Sequence, residues 1–463
     1  MDIPLLARTL ASRAEWRSRD RWSPERLAAH QRQALESLRR HTYQRSPFYR
    51  RHHAGFLNSP LAELPPVTKA DLMEAFDDAV TVPGLRIADV EGHLRDLTEH
   101  GGDPGKPWRG RWWAAATAGT TGRRGVFVWD RSEWSAVLAS YARANDWAGV
   151  HLGIGDPLRT AVVSSLVPTH QSAVVGASVH SRLVPTLRAD AAAPITDTVK
   201  ALNAFAPRLL VGYASALREL AAEEAAGRLR IQPQAVMSAS EVLTAPTARD
   251  LAAAWGHEPF DVYAATETAG IASPCQFHRR HLYEDLVICE VVDDTGAPVP
   301  AGTTGSRLLV TVLFSRTLPL IRYELSDRVV LDPSSCPCAR PFRTLAGVEG
   351  RQEDILMLPG ARGAVRVHPN VLHEALDTLP VTGWQVLQEP EGLLRVLVTS
   401  ALDVDAARIT SVLRKSLARV GVTALTVRVQ QVNSLPRTAL GKTPLVRALT
   451  PSDGPTAAPS TPP

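Results

Sequence analysis

Four short apolar runs, RTAVVSSLVP, PRLLVGY, QAVMSAS and FDVYAAT, succeed one another between residues 159 and 266, separated by Ala-rich segments with helical spacing. A strand covered on both faces reads as a continuous apolar run, and strands alternating with helices predict parallel pairing. The chain is therefore expected to build an α/β fold around a largely parallel sheet. Before this region, the first 80 residues place apolar positions at helical spacing, in PERLAAHQRQALESLRRHTYQ and again in VTKADLMEAF. After residue 280 the helical pattern stops, and DLVICEVVD, SRLLVTVL, PLIRYEL and DRVVLD follow across Gly, Pro and Asp turns. They predict an antiparallel subdomain that closes the large domain.

The pattern changes again near residue 351. A hairpin in DILMLPGARGAVRV, a helix in PNVLHEALDTL and a hairpin across WQVLQEPEGLLRVLV are followed by a helix with Ile409, Val412, Leu413, Leu417 and Val420 on one face, then the strand LTVRVQQV. The expected organisation is a large N-terminal domain over 1–350, a small C-terminal α/β domain over 351–449, and a disordered tail over 450–463. The tail's Pro, Ser and Ala cannot form a packed core. No internal repeat is present.

Composition narrows the function classes. The 463 residues, 44% hydrophobic and 21% charged, suit two or three globular domains. A net charge of +4, from 51 basic and 47 acidic residues without a basic block, gives no reason to expect nucleic acid. No apolar run approaches the roughly 18 residues of a membrane span, and the N-terminus lacks the basic start and long apolar stretch of a secretory signal. Four cysteines do not make a disulfide scaffold, so a reducing cytoplasm is the expected setting. Only five of the basic residues are lysines, which makes each more informative: Lys69, Lys106, Lys200, Lys415 and Lys442.

Five segments carry chemistry. In TAGTTGRRG, Gly119 and Gly122 let the backbone bend round an anion, and Thr117, Thr120 and Thr121 offer hydroxyls to phosphate oxygens; a Gly/Thr hairpin turn is the plainer reading. YAATETAG, after the run FDV, places Thr266 and Glu267 at a strand end, where open α/β sheets bind ligands; a helix N-cap is the alternative. Asp327 in LIRYELSDRV could cap a turn, Arg351 in GRQEDIL could be a solvated hinge charge, and Lys442 in PRTALGKTPLVRAL could be solvated surface.

In order and spacing these segments resemble the motif series of the adenylate-forming enzymes, and within them the phenylacetate-CoA ligase family. SPFYRRHHAGF, LPPVTKADL, SASEVLTAPTARDLAAAWG and CQFHRRHLYEDLVICEVVDDTGAPVPAGTTG extend the likeness over roughly residues 35 to 449. The departures are Thr117-Ala118 for a Ser-Ser or Ser-Gly pair, Arg123-Arg124 for Lys-Pro, Glu324-Leu325-Ser326 for an Arg-Thr-Gly-like run, and Glu353 for the hinge Asp. The resemblance implies ATP-dependent activation of an aromatic or arylacetic acid and transfer to coenzyme A. It gives the 117–122 loop the β- and γ-phosphates, Thr266 the α-phosphate, Glu267 Mg²⁺, and Tyr263 the adenine, with Ser240 and Glu241 beside it. Asp327 and Arg351 would hold the ribose, Lys442 would bridge carboxylate and α-phosphate, and the small domain would rotate about Glu353. For the acid pocket, strand ends offer Trp147, His170, Tyr213 and Ala264, each aromatic equally suited to core packing. The implied partners are a small aromatic carboxylic acid and, as an assembly the family allows, a second copy in a homodimer.

The cysteines form a separate set. Cys336 and Cys338 are separated by one residue, which in an extended segment points both the same way, and Cys275 and His281 lie about 60 residues earlier. Three sulfurs and an imidazole are an ordinary zinc set, yet the spacing alone leaves metal open. Part of the phenylacetate-CoA ligase family has a matching Cys…His and Cys-x-Cys-Gly-Arg pattern, which implies a structural zinc; Ala339 stands in place of that glycine. His278 is an alternative ligand, and Cys289 reads as a buried apolar-like residue. Two other functions stay open: activation with another acceptor (a carrier protein, an amine, or nitrite for diazotising an aromatic amine, as in secondary metabolism), and a catalytically silent nucleotide- or acid-binding homologue.

Overall fold

The structure, a computed structural model, describes residues 2–447 except 118–123, 152–154, 352–354, 362, 368, 377–378, 380, 382, 390–392, 401–402, 424 and 438–442. The chain divides into two compact units, one running to Val348 and the other beginning at Glu349.

Nine strands of the first unit share one sheet: β1 Thr160–Ser164, β2 Thr186–Asp190, β3 Leu209–Gly212, β4 Ala235–Ala239, β5 Phe260–Ala265, β6 Ala269–Pro274, β7 Arg280–Leu282, β8 Asp327–Leu331 and β9 Thr344–Arg351. Their order is β8-β9-β7-β6-β5-β4-β3-β1-β2. From β2 to β5 every pairing is parallel, and from β5 through β6 and β7 to β9 it is antiparallel. Helices Gln171–Val179, Ile195–Phe205, Ala214–Ala225 and Ala245–Trp255 lie between the parallel strands in sequence.

Strand alternation explains why the apolar runs are unbroken. Leu210 and Val236 face one core with Leu217, Leu220, Leu251 and Trp255, whereas their neighbours Leu209, Ala235 and Met237 face another with Ala144, Phe260 and Val262. Both faces of each strand are thus removed from water, at about 1.5–3 kcal/mol for each large side chain buried.

The helix Arg131–Trp147 is fixed by buried charges. Glu133 closes a capping box with Asp130 and also accepts from Thr317 N at 2.7 Å. Near the other end, Arg143 grips Asp285 through two bonds of 2.7 and 2.8 Å, and Arg19 adds a third at 3.1 Å.

Three departures from the sequence expectation concern the strands of the first unit. The segment after Thr266 is neither helix nor capped helix start: residues 266–268 turn into the antiparallel strand β6. Of the four strands expected after 280, Val287–Val292, Arg307–Val312 and Tyr323–Leu325 form a small antiparallel sheet, but DRVVLD leaves it to become the edge strand β8. PLIRYEL becomes strand only at Tyr323, because Arg322 adopts a left-handed φ of 49° and its amide donates to Thr311 Oγ1.

In the second unit Leu356–Gly360 pairs with Gly363–Val367, and Gly383–Glu389 with Leu393–Thr399; Thr426–Gln431 and Val446–Arg447 add parallel edges. Helices Pro369–Leu376 and Ala406–Arg419 cover a core that includes Leu372, Val386, Val396, Ile409, Leu413 and Leu417. Val420, expected on that buried face, is the C-cap and is 39% exposed. No helix among the described residues is long and apolar enough to cross a membrane.

Candidate functional site

The segment TAGTTGRRG connects two paired strands, Trp113–Ala116 and Val126–Trp129. Its base is closed by Thr117 N to Gly125 O and Gly125 N to Thr117 Oγ1, both 2.9 Å. Gly119, Thr120, Thr121 and Gly122 lie outside the described residues. The hairpin reading and the phosphate-loop reading are compatible, since a hairpin can present a glycine-rich tip. Two cations that motif reasoning passed over border this base. Lys69, at the first position of the helix Lys69–Glu74, carries its stem past Gly125, where an added Cβ would meet Lys69 Cδ at 3.3 Å. Arg124, exposed at the protein surface, donates to Thr169 Oγ1, and partial desolvation of its guanidinium lowers its pKa. Lys69 had a signal in the scarcity of lysine; Arg124 had only its place in the motif.

At the carboxyl end of β5, Thr266 and Glu267 are half-buried in the turn to β6. Thr266 O accepts from Gln171 Nε2 at 3.0 Å. Thr169, two residues before Gln171, accepts at its own carbonyl from Ala116 N at 2.8 Å. The segment 169–171 therefore touches both motif regions, which lie about 150 residues apart in sequence.

Tyr263, on β5, donates to Asp327 Oδ2 at 2.7 Å. Both are 8% exposed. Ser240, at the end of β4, holds a left-handed φ of 69°, and Glu241 Oε2 accepts from Ser215 N at 2.8 Å, near the start of the helix Ala214–Ala225. Glu241 thus serves as a helix cap supplied from the loop after β4.

The acid-pocket candidates separate. Tyr213 directly follows β3, whereas His170 is the N-cap of the helix Gln171–Val179, six residues beyond the end of neighbouring β1: His170 Nδ1 lies 2.9 Å from Ser172 Oγ, and the Tyr213 hydroxyl accepts from Ser165 N at 3.1 Å. Burial pushes the Tyr213 phenol up to about 12. Ala264 lies within β5, half-buried, opposite Gly270. Trp147 does not join them. Its ring packs against His281, Tyr283 and Phe342, and its Nε1 donates to Asp20 at 2.8 Å. His281, on β7, pairs with Ser273 and so lies level with Val262 of β5, about four residue steps, roughly 13 Å, along the strand from Thr266. Trp147 belongs to the core.

Beside Trp147 the sulfurs of Cys275, Cys336 and Cys338 and a nitrogen of His281 all lie within 4.8 Å of one another. Cys275 Sγ is 3.6 Å from Cys336 Sγ, and Cys338 Sγ is 3.1 Å from His281 Nε2. A tetrahedral zinc with Zn–S near 2.3 Å needs sulfurs about 3.8 Å apart, so this donor set fits the metal. His281 Nδ1 faces Phe342 O at 2.8 Å, which puts the ring proton there and leaves Nε2 as ligand. Burial lowers the pKa of His281, in keeping with a neutral ligand. The two thiols Cys336 and Cys338 converge through a turn, not an extended segment: Ala339 N donates to Cys336 O at 3.2 Å. Ala339 has φ 59°, a conformation that glycine adopts without strain. His278 is not in the set; its ring stacks on Phe260 at 4.6 Å. Cys289 is 3% exposed, and burial pushes its thiol up to about 12.

Arg351 ends β9 with its side chain not described, and Glu353 and Lys442 lie outside the described residues.

No family model matches the chain. The phenylacetate-coenzyme A ligase of Thermus thermophilus is 25% identical over 390 residues, covering 80% of each protein. The phenylacetate-coenzyme A ligase of Aromatoleum evansii is 25% identical over 389 residues, 79% of each. Among solved structures, a 2-hydroxyisobutyryl-CoA ligase in the postadenylation state in complex with R3-HIB-AMP aligns with a TM-score of 0.71 at 21% identity, over 92% of this chain and 90% of that one. That likeness is one of fold.

Proposed function

We propose that the chain, which belongs with the phenylacetate-CoA ligases among the adenylate-forming enzymes, joins a carboxylic acid to coenzyme A through an acyl adenylate. The observation that carries this reading is the convergence of the phosphate-loop base and the Thr266-Glu267 turn on the segment 169–171. An aromatic or arylacetic acid is favoured by the names of the two curated relatives.

In the first half-reaction an acid carboxylate oxygen attacks the α-phosphorus of ATP, and the bond to the β-phosphate breaks with pyrophosphate leaving. Two anions must be held together, so screening and fixed geometry supply most of the rate. Thr266 would donate to an α-phosphate oxygen and the 117–122 loop would hold the outer phosphates. Tyr263 and Asp327 would border the nucleoside, with Ser240 and Glu241 nearby and Arg351 beside the ribose. Lys442 would balance charge between carboxylate and α-phosphate. Glu267 would be the protein ligand of a Mg²⁺ that neutralises phosphate charge. His170, Tyr213 and Ala264 would line the acid. In the second half-reaction the coenzyme A sulfur attacks the acyl carbon, its proton passes to solvent, and AMP leaves. A zinc held by Cys275, His281, Cys336 and Cys338 would be structural, since four protein ligands leave no open position.

A panel of aromatic and arylacetic acids with ATP and Mg²⁺ should release pyrophosphate, and the thioester and AMP should appear when coenzyme A is added. Lys442→Ala should slow pyrophosphate release about 100-fold to 1000-fold. Adenylate without thioester would reject coenzyme A as the acceptor. Turnover requiring nitrite and an aminoaryl substrate would establish diazotisation in its place.

A further inference from the structure

We propose that Gln171, oriented by Tyr141, is a positioning residue that holds the Thr266-Glu267 turn in its reactive conformation; this rests on the role given to that turn above. The turn is strained. Ala269, fully buried, carries a φ of 64°, and a left-handed non-glycine residue costs of order 1–3 kcal/mol and persists only where its surroundings over-determine it.

Two consecutive residues of the helix Arg131–Trp147 provide that determination. On one side Ser140 Oγ accepts from Gly270 N at 3.2 Å. On the other the Tyr141 hydroxyl donates to Gln171 Oε1 at 2.8 Å, and Gln171 Nε2 donates to Thr266 O at 3.0 Å. The orientation of the Gln171 amide follows from its partners, because a carbonyl oxygen can only accept. Gln171 is 3% exposed, so it meets the turn as a buried, fixed donor. Through Glu133 and Arg143 the same helix is anchored by buried charge, which gives the clamp a rigid base. Release of the Thr266 carbonyl would let the turn relax and carry the hydroxyl and carboxylate away from the phosphates; a displacement of about 1 Å can cost 100-fold in rate.

Gln171→Glu provides the discriminating measurement. Its second oxygen must face Thr266 O, so the carboxylate form repels that carbonyl whereas the protonated form donates as the amide does. The expected result is adenylation within about threefold of wild type on the acid side and a fall of roughly 10-fold to 100-fold as pH rises, added to the wild-type pH profile. Tyr141→Phe should lower kcat several-fold with the KM for the acid unchanged, and Gln171→Ala should lose 10-fold or more across the whole pH range. A Gln171→Glu profile parallel to wild type, together with a Tyr141→Phe variant at full kcat, would overturn the inference. Thr266→Ala and Glu267→Gln in the same assay separate the two levels: if both adenylate at the wild-type rate, the reading of the turn itself fails and the inference falls with it. If both are impaired while Gln171→Glu and Tyr141→Phe are not, the positioning role alone fails.

Discussion

The hydroxyl of Tyr263 reaches the carboxylate of Asp327 at 2.7 Å, although their strands, β5 and β8, are four places apart in the sheet. At about 4.8 Å per strand, a flat sheet would hold them roughly 19 Å apart. The antiparallel half must therefore curl until its edge strand closes against the parallel half. This closure brings two residues assigned to the nucleoside into contact.

Tyr263→Phe removes the donor to a buried carboxylate. Hydrogen bonds to charged groups contribute about 1.5–3 kcal/mol, so the KM for ATP should rise about 10-fold while the KM for the acid stays near wild type. Steady-state kinetics with each substrate varied in turn will decide it. An unchanged KM for ATP would make the pair a purely structural link.

Gly270→Ala tests the tightness of the turn from its other end. An added Cβ would lie 2.8 Å from Tyr283 Cε2 and 3.1 Å from Ser140 Oγ. Tyr283 is fully buried and tied to Ser273 Oγ at 2.8 Å, so its ring cannot move aside. The substitution should cost about 1–3 kcal/mol, as overpacking does, and reduce adenylation. Thermal unfolding at a wild-type temperature would contradict the close packing.

The metal set predicts one zinc per chain. The ligands come from the loop after β6, from β7 and from the loop between β8 and β9, so the metal would tie together the antiparallel half that carries Asp327. Chelation should lower the unfolding temperature by several degrees, and Cys275→Ser or Cys338→Ser should abolish stoichiometric binding. Elemental analysis showing well under one zinc per chain would refute the site. Ala339→Gly should raise stability by up to about 1 kcal/mol by relieving the left-handed turn.

Asp285 sets the acid limit of stability. Burial alone would raise its pKa, but the guanidiniums of Arg143 and Arg19 outweigh burial and hold it below the ordinary value of 3.8. A carboxylate depressed in the folded state contributes stability that is present above its unfolded pKa and is lost as pH falls through its folded pKa. Denaturation should thus steepen below about pH 4. Asp285→Asn, which strands two guanidiniums, should cost about 3–5 kcal/mol at neutral pH and flatten that acid limb. Chemical denaturation between pH 3 and pH 7 (roughly the span from the unfolded carboxylate pKa to neutrality) measures both effects. An acid limb of the same slope in the variant would remove Asp285 as its cause.

How much of this was legible in the sequence depends on how local each cause is. Leu209 and Leu210, facing two cores from adjacent positions, announced a doubly buried strand because side-chain period is a local property. The small-domain helix and hairpins were readable for the same reason, as was the pairing of Cys…His with Cys-x-Cys once a family pattern was in view. Tertiary structure decided the rest. The turn at Thr266 runs into a strand because Ser140 and Gln171 pin its ends from 130 and 95 residues away. Trp147 joins the core because Asp20 captures its indole nitrogen. Cys336 and Cys338 converge because the chain turns between them, with Ala339 N closing on Cys336 O. Each of these outcomes is fixed by a partner distant in sequence or by a turn of the backbone, and neither leaves a periodicity in the chain. The sequence by itself determined the layers, the strand faces and the residue types available for chemistry; only the closure of the sheet determined which of those residues meet.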